Sequence, residues 1–290
     1  MNYETVQSLS GRDVVPASPD IFAREIEFHN GWADDTAVED ILVSESFESP
    51  LALENRFALS LMGDLKGKKL LDLGTGLGET AVYFALQGAQ VIATDISPHM
   101  IALAQQLAAH HHTQIEGLVC PAENLNLPDN YIDICYTANV LHHVADRKRT
   151  LREIHRVLKP GGLVVSWDPL AYNPIINVYR RMADKVRTKD EQPVKFDLVR
   201  EYQEVFAHVT HHEFWLTGLL IFIKYFLVDR VHPNQDRYWK RILRENQTTL
   251  TWLKPLLALD ERLLRWPPLN YLAWTILVVA RKSSDTPSVD

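Results

Sequence analysis

Lys69-Leu70-Leu71-Asp72-Leu73-Gly74-Thr75-Gly76-Leu77-Gly78-Glu79-Thr80 is the stretch whose reading decides the fold. Leu70 to Leu73 is an apolar run broken only by Asp72, and it reads as a short buried strand. Three alternating glycines then turn the chain into a helix expected over 79–86 that stops at Gly88. A strand, a glycine turn and a helix N-terminus is how α/β proteins hold a nucleoside-like ligand. The glycines let the backbone approach closely and aim N–H groups at it. A dinucleotide fingerprint has its third glycine three residues after the second. Here Glu79 holds that place and the third glycine is Gly78. An acidic side chain at a helix start is a poor neighbour for a pyrophosphate, and an acceptable one for a zwitterion or a positive centre. A Walker phosphate loop is excluded, because no Gly-Lys-Ser/Thr follows.

Outward from this stretch, strand and helix alternate. Upstream, 50–63 reads as an amphipathic helix through Leu53, Phe57, Leu61 and Met62. A short helix is expected over 20–30, preceded by a loose arm containing Pro16 and Pro19. Downstream, 90–94 is a second strand ending at Asp95. Ser97 is an N-cap with Pro98 at the first helical position, opening a helix to about His110. Strands follow over 115–120 and 132–138. Asp146 caps a helix that Lys159-Pro160-Gly161-Gly162 stops, and 163–167 is a fifth strand. This rhythm predicts a doubly wound, mostly parallel sheet. The last third breaks it. Helices are expected over 174–188 and 197–206, a strand over 208–216, a helical stretch carrying Pro233 and Pro255, and a last strand over 271–280.

Asp95 lies 17 residues after Gly78, close to the place of an acid that accepts both ribose hydroxyls. It could merely cap the next helix, but Ser97 already fills that role.

The order LLDLGTGLGE, VIATDIS, PAENLNLPDNYIDICYTANVLHHV and LREIHRVLKPGG resembles the class I S-adenosylmethionine-dependent methyltransferases, small-molecule type, in the group of the ubiquinone and menaquinone methyltransferases. The resemblance covers about residues 50 to 168 and the flanks match loosely. It implies an α/β, Rossmann-like seven-stranded sheet with a helical insertion before the last strand, and S-adenosyl-L-methionine as cofactor. It places the methionine end of the cofactor over Asp72, Gly74, Thr75, Gly76 and Gly78, the ribose on Asp95 and the adenine beside Ile96. Where many relatives have an Asp for the adenine amino group, this chain has Pro121. That leaves the contact to the backbone at Ala122 or to Glu123. Asn139, with Val140, falls where relatives touch the methionine end by backbone.

Methyl transfer is an in-line displacement at a sulfonium, so the protein mainly aligns groups and excludes water. A hydroxyl or acidic-carbon acceptor also needs a base. His142 and His143, after the fourth strand, are candidates, with His143 favoured; either can equally be a hydrogen-bonded structural residue. His110-His111-His112 and His211-His212 do not form metal sites by spacing, because adjacent side chains diverge on a helix and alternate on a strand, and no metal is expected.

Composition sets outer bounds. The 290 residues, 46% apolar, suffice for one large domain with an insertion, and the net charge of −7 disfavours a non-specific nucleic-acid surface. Cys120 and Cys135 sit in apolar runs and read as small core residues of a reducing compartment. The longest apolar run, 214–228, is interrupted by Lys224 and is shorter than a membrane span, so a cytoplasmic protein is expected. The last third is dense in aromatics, including Trp215, Phe222, Tyr225, Tyr238, Trp239 and Trp266. These read as the core of a lid, as an apolar or aromatic substrate pocket, or as a surface touching lipid. The segment 28–32 is placed to close over the site. The expected division is an arm and capping helix over 1–49, a cofactor-binding core over 50–168, the rest of the sheet with its lid over 169–282, and a disordered tail over 283–290. The expected partner is a small-molecule methyl acceptor, with O-methylation ahead of C- or N-methylation.

Overall fold

The computed structural model describes residues 19–188, 191–245 and 247–284. Residues 1–18 of the expected arm and most of the expected tail, from residue 285, lie outside the described residues, while Pro19, expected in the arm, opens the first described helix. Seven strands, β1 (Lys69–Leu73), β2 (Gln90–Asp95), β3 (Glu116–Val119), β4 (Ile132–Ala138), β5 (Leu158–Pro169), β6 (His208–Phe214) and β7 (Thr275–Arg281), form one sheet in the order 3-2-1-4-5-7-6. β1 to β5 pair in parallel and β7 runs antiparallel between β5 and β6. The order reverses between β1 and β4, and a ligand crevice of an open α/β sheet forms at such a switch, beyond the carboxyl ends of the strands.

β1 is central and covered on both faces, which is why its sequence is a run of leucines rather than an alternation. One core layer packs Leu71, Leu73, Cys135 and Val164 against the helix Arg147–Val157. The other packs Leu70, Tyr136 and Val165 against the helices Glu79–Leu86 and Pro98–His110. Cys120 and Cys135 are buried free thiols. Ser97 accepts the Met100 N–H at 3.0 Å and Asp146 the Arg149 N–H at 2.9 Å, the two caps read from the sequence.

The departures from expectation have local causes. The first described helix, α1, runs Pro19–Asp34, beyond Asn30, because Asn30 and Asp34 are held by Ser97 (2.6 Å) and His99 (2.8 Å) at the start of the helix after β2. β5 begins at Leu158, since Gly161 takes a positive φ of 75° and the register with β4 shifts there, so the chain re-enters the sheet at once. The helix expected over 174–188 ends at Met182. The chain turns there to meet Asn234, which accepts the Lys185 N–H and donates to Asp184. β7 starts at Thr275, because Leu269–Leu272 is a tight 3-10 turn closing the insertion.

That insertion, between β6 and β7, has its own core. Trp215, Phe222, Tyr225, Tyr238 and Leu253 pack with Leu51 from the N-terminal side and with Tyr179 from the helix Pro174–Met182. No described helix is long and apolar enough to cross a membrane.

Candidate active site

The glycine turn divides its labour. Gly74, Gly76 and Gly78 have φ of 70°, 54° and 90°. A Cβ on Gly74 would lie 2.4 Å from a Val140 methyl carbon, and one on Gly78 2.7 Å from Ala104 Cα. The outer two glycines therefore let the turn pack against the segment after β4 and the helix after β2. A Cβ on Gly76 meets nothing within 4 Å, so the middle glycine faces open space.

Asp72 sits beneath the turn and accepts from the hydroxyls of Thr75 (2.7 Å) and Thr80 (2.5 Å). Burial lifts its pKa to about 6 against those two hydrogen bonds, and the charges of Glu79 and Asp95 add to the rise. Asp95 accepts the N–H of Gly76 at 3.0 Å on one oxygen and that of Ser97 at 2.9 Å on the other. The carboxylate at the end of β2 thus holds the turn after β1. Burial raises its pKa, opposed by His29 and the backbone donors. Glu79 Oε2 is buried with no hydrogen-bond partner among the described residues. Three carboxylates therefore surround the turn, a setting for a ligand with positive charge.

Asp72, Gly74, Thr75, Gly76, Glu79, Thr80 and Asp95 line one cavity of about 310 Å³ together with Ile96, Ala122, Glu123 and Asn139, whereas Gly78 stands behind the wall against Ala104. Asn139 is left-handed (φ 58°) and donates its N–H to the Trp167 carbonyl at 2.8 Å. Glu123 reaches the cavity wall, but its Oε1 accepts the backbone N–H groups of Ala145 (3.0 Å) and Asp146 (3.4 Å). It ties down the loop that leads into the helix Arg147–Val157, and burial raises its pKa despite those donors.

At the far end of the cavity the two histidines separate. His142 is buried, and its Nδ1 lies 2.8 Å from Asp168 Oδ1, which also accepts the His142 backbone N–H at 3.2 Å. With Nδ1 occupied, Nε2 is the ring nitrogen left to act. Burial pushes His142 well below its ordinary range and lifts Asp168 to about 7. His143 instead approaches Glu25 (3.2 Å) and, on its other nitrogen, Glu191 (3.9 Å). Burial acts to raise the Glu25 pKa, but the contacts with His143 and His29 outweigh it and hold the carboxyl below its usual range. The preference for His143 over His142 finds no counterpart in this geometry, since only His142 has a ring nitrogen fixed by a hydrogen-bonded carboxylate.

Asp168, Glu25, Glu191, Arg187 and Arg237 line or adjoin this end and did not stand out from the sequence. Asp168 ends a strand at the ligand edge and Glu25 lies one helical turn from His29, so position and spacing were the available signals. Trp32 of the expected closing segment lies in the wall, with the Arg237 guanidinium 3.6 Å above its ring. Burial lowers the Arg237 pKa to about 10. Of the aromatics of the last third, Trp215 and Trp239 line the cavity, Phe222, Tyr225 and Tyr238 lie in the core of the insertion, and Trp266 is exposed. The two histidine runs lie elsewhere. His110 is exposed at the last position of its helix and His112 just beyond it, His211 pairs with Glu213, and His212 stacks on Phe57.

Residues 71–166 match the family described as a methyltransferase domain. The chain is 32% identical over 123 residues to the malonyl-(acyl-carrier protein) O-methyltransferase of Serratia marcescens, covering 41% of this chain and 47% of that protein. It is 33% identical over 139 residues to the ubiquinone/menaquinone biosynthesis C-methyltransferase UbiE of Vibrio vulnificus, covering 44% and 52%. The chain thus spans about half the length of these curated relatives. Among solved structures it shares its fold with the (4+2)-cyclase SpnF, with a TM-score of 0.55 and 18% identity over 95% of this chain and 100% of that one. A fold shared with a cyclase does not fix a reaction.

Proposed function

Because residues 71–166 form a class I S-adenosylmethionine-dependent methyltransferase domain, whose cofactor is S-adenosyl-L-methionine, we propose that this chain transfers a methyl group to a hydroxyl of a small apolar or aromatic acceptor. The observation that carries the acceptor chemistry is the His142–Asp168 pair opening on the same cavity as the glycine turn.

The residues fit the cofactor. Gly76 leaves room for it, and Asp72, Glu79 and Asp95 supply negative charge for a ligand with an ammonium and a sulfonium. In this reading Asp95 turns toward the ribose hydroxyls, Ile96 and Ala122 flank the adenine, and Gly74, Thr75, Gly78 and Asn139 shape the methionine end. Glu123 holds the loop beside the adenine. When bound, the cofactor supplies a methyl group that is already activated.

The acceptor end then has two tasks. Trp215, Trp239 and Trp274 with Ile176 form an apolar wall that excludes water and holds the acceptor in line. His142 takes the hydroxyl proton on Nε2, with Asp168 fixing its ring so that Nδ1 donates and Nε2 accepts. The similarity to UbiE supports a second reading, methylation of an acidic carbon, which uses the same base. A screen of phenols, carboxylic acids, acidic carbon compounds and amines for S-adenosylhomocysteine release decides between them. Turnover with a phenol or acid supports oxygen as acceptor. Turnover with carbon acids or amines alone moves the reading to carbon or nitrogen, and binding without any turnover moves it to a non-catalytic cofactor-binding protein.

A further inference from the structure

Next to the His142–Asp168 pair lies a second group of side chains that this reaction leaves unused. Glu25 and His29 are one turn apart on α1, and His143 comes from the segment after β4. All three line the cavity. Glu25 Oε2 is 3.5 Å from His29 Nε2 and 3.2 Å from His143 Nδ1. Glu25 is only 3% exposed, yet neither of its oxygens makes a hydrogen bond among the described residues. His143 Nδ1 and His29 Nδ1 are buried and unsatisfied in the same way.

Two ring nitrogens thus approach one carboxylate oxygen without the angle of a hydrogen bond. Donors converging on a shared point between them have this property. Ligands about 2.0–2.1 Å from a tetrahedral ion stand roughly 3.3–3.4 Å apart, which is the spacing around Glu25 Oε2. A metal-bound imidazole commonly turns its other nitrogen toward a carboxylate. His143 does so, with Nε2 3.9 Å from Glu191, whose own charge is met by Arg187.

We propose that Glu25, His29 and His143 bind one divalent transition-metal ion. Two imidazoles and a carboxylate match zinc, and three protein ligands leave a coordination position open to the cavity. An ion there satisfies both the Glu25 carboxylate and His143 Nδ1. It also joins α1 to the sheet across the cavity mouth and offers the acceptor an electrophilic anchor beside His142.

The test uses the full-length protein after chelator dialysis, titrated with Zn²⁺ by calorimetry and with Co²⁺ by visible absorption. One ion per chain is expected, with the absorption of a four- or five-coordinate Co²⁺ site. Glu25→Gln and His143→Ala should each weaken binding by about 10-fold or more, while a variant with His110, His111 and His112 all changed to Asn should bind as the wild type does. S-adenosylhomocysteine affinity, measured on every variant, reports that the fold is intact. If a variant loses it, His29→Asn takes that variant's place. Absence of stoichiometric binding, or binding that follows the 110–112 run and ignores Glu25 and His143, overturns the proposal. Metal binding without S-adenosylhomocysteine binding leaves this site standing and removes the methyltransferase reading; the reverse result does the opposite.

Discussion

The two ends of the cavity are assembled in different ways. The glycine-turn end comes from one continuous piece of chain, β1 through the start of the helix after β2, with Asp72, Gly76 and Asp95 bonded to each other or to immediate neighbours. The histidine end comes from pieces far apart in sequence. Glu25, His142, Asp168, Trp215 and Arg237 meet only because the sheet, α1 and the insertion between β6 and β7 converge. The first end is set by local backbone geometry and the second by tertiary packing. A substitution at the first should therefore act through cofactor affinity or loop stability, and one at the second through turnover.

The largest expected effect is at the histidine end. His142→Ala should lower kcat by about 10²–10⁴-fold, the usual worth of a positioned base, with S-adenosylhomocysteine affinity unchanged. Steady-state kinetics with the acceptor found in the screen, beside calorimetry, checks this. Asp168→Asn should follow it in kcat with KM little altered, because the ring loses its fixed tautomer. Equal losses of affinity and turnover would erase the distinction between the ends.

Next come the glycines. Gly78→Ala combines a positive φ with a Cβ on the Ala104 backbone and should cost about 2–4 kcal/mol of stability, read as a shift in the denaturant midpoint. Gly76→Ala meets open space and should cost only about 1 kcal/mol. Its methyl group enters the cavity, so its main effect should be weaker S-adenosylhomocysteine binding. Reversed rankings would show that the turn is not packed as described.

Asp95→Ala should weaken S-adenosylhomocysteine binding by about 1–3 kcal/mol, the loss of hydrogen bonds to a charged group, measured by calorimetry. An unchanged affinity would return Asp95 to the structural role that its bonds to Gly76 and Ser97 already give it.

This difference also decides what could be read in the sequence. Strand, turn and helix signals from 69 to 158 are local, and β1, β2, β4 and both capped helices fall where periodicity and caps place them. The glycine spacing, with Glu79 at the helix start, separates this turn from a dinucleotide turn by sequence alone. Asp168 was silent, because a single acid at a strand end has no periodic signal and its meaning comes from a histidine on the neighbouring strand's exit. Glu25 and His29 carried an i, i+4 spacing, but the ring that completes their group is contributed by residue 143. The aromatics of the last third could not be sorted by sequence. Trp215, at a left-handed φ of 65° just before the first helical turn of the insertion, lines the cavity as well as its core, whereas Tyr225 lies in the core alone.

The smallest expected effect lies away from the cavity. Glu213 accepts from or pairs with His211 on β6 and raises its pKa above the ordinary value, against the desolvation there. A raised folded-state pKa gives stability that is full below the unfolded value near 6.5 and is lost as pH rises through the folded value. Glu213→Gln should therefore narrow the difference in Tm between mildly acidic and mildly alkaline buffer, by a small amount because the imidazole is partly exposed.

The central claim is that the glycine turn holds S-adenosylmethionine. Calorimetry of the purified chain with S-adenosylhomocysteine, S-adenosylmethionine and NAD tests it most directly. The expected result is saturable one-to-one binding of both sulfur nucleosides and none of NAD; binding of NAD alone would contradict it.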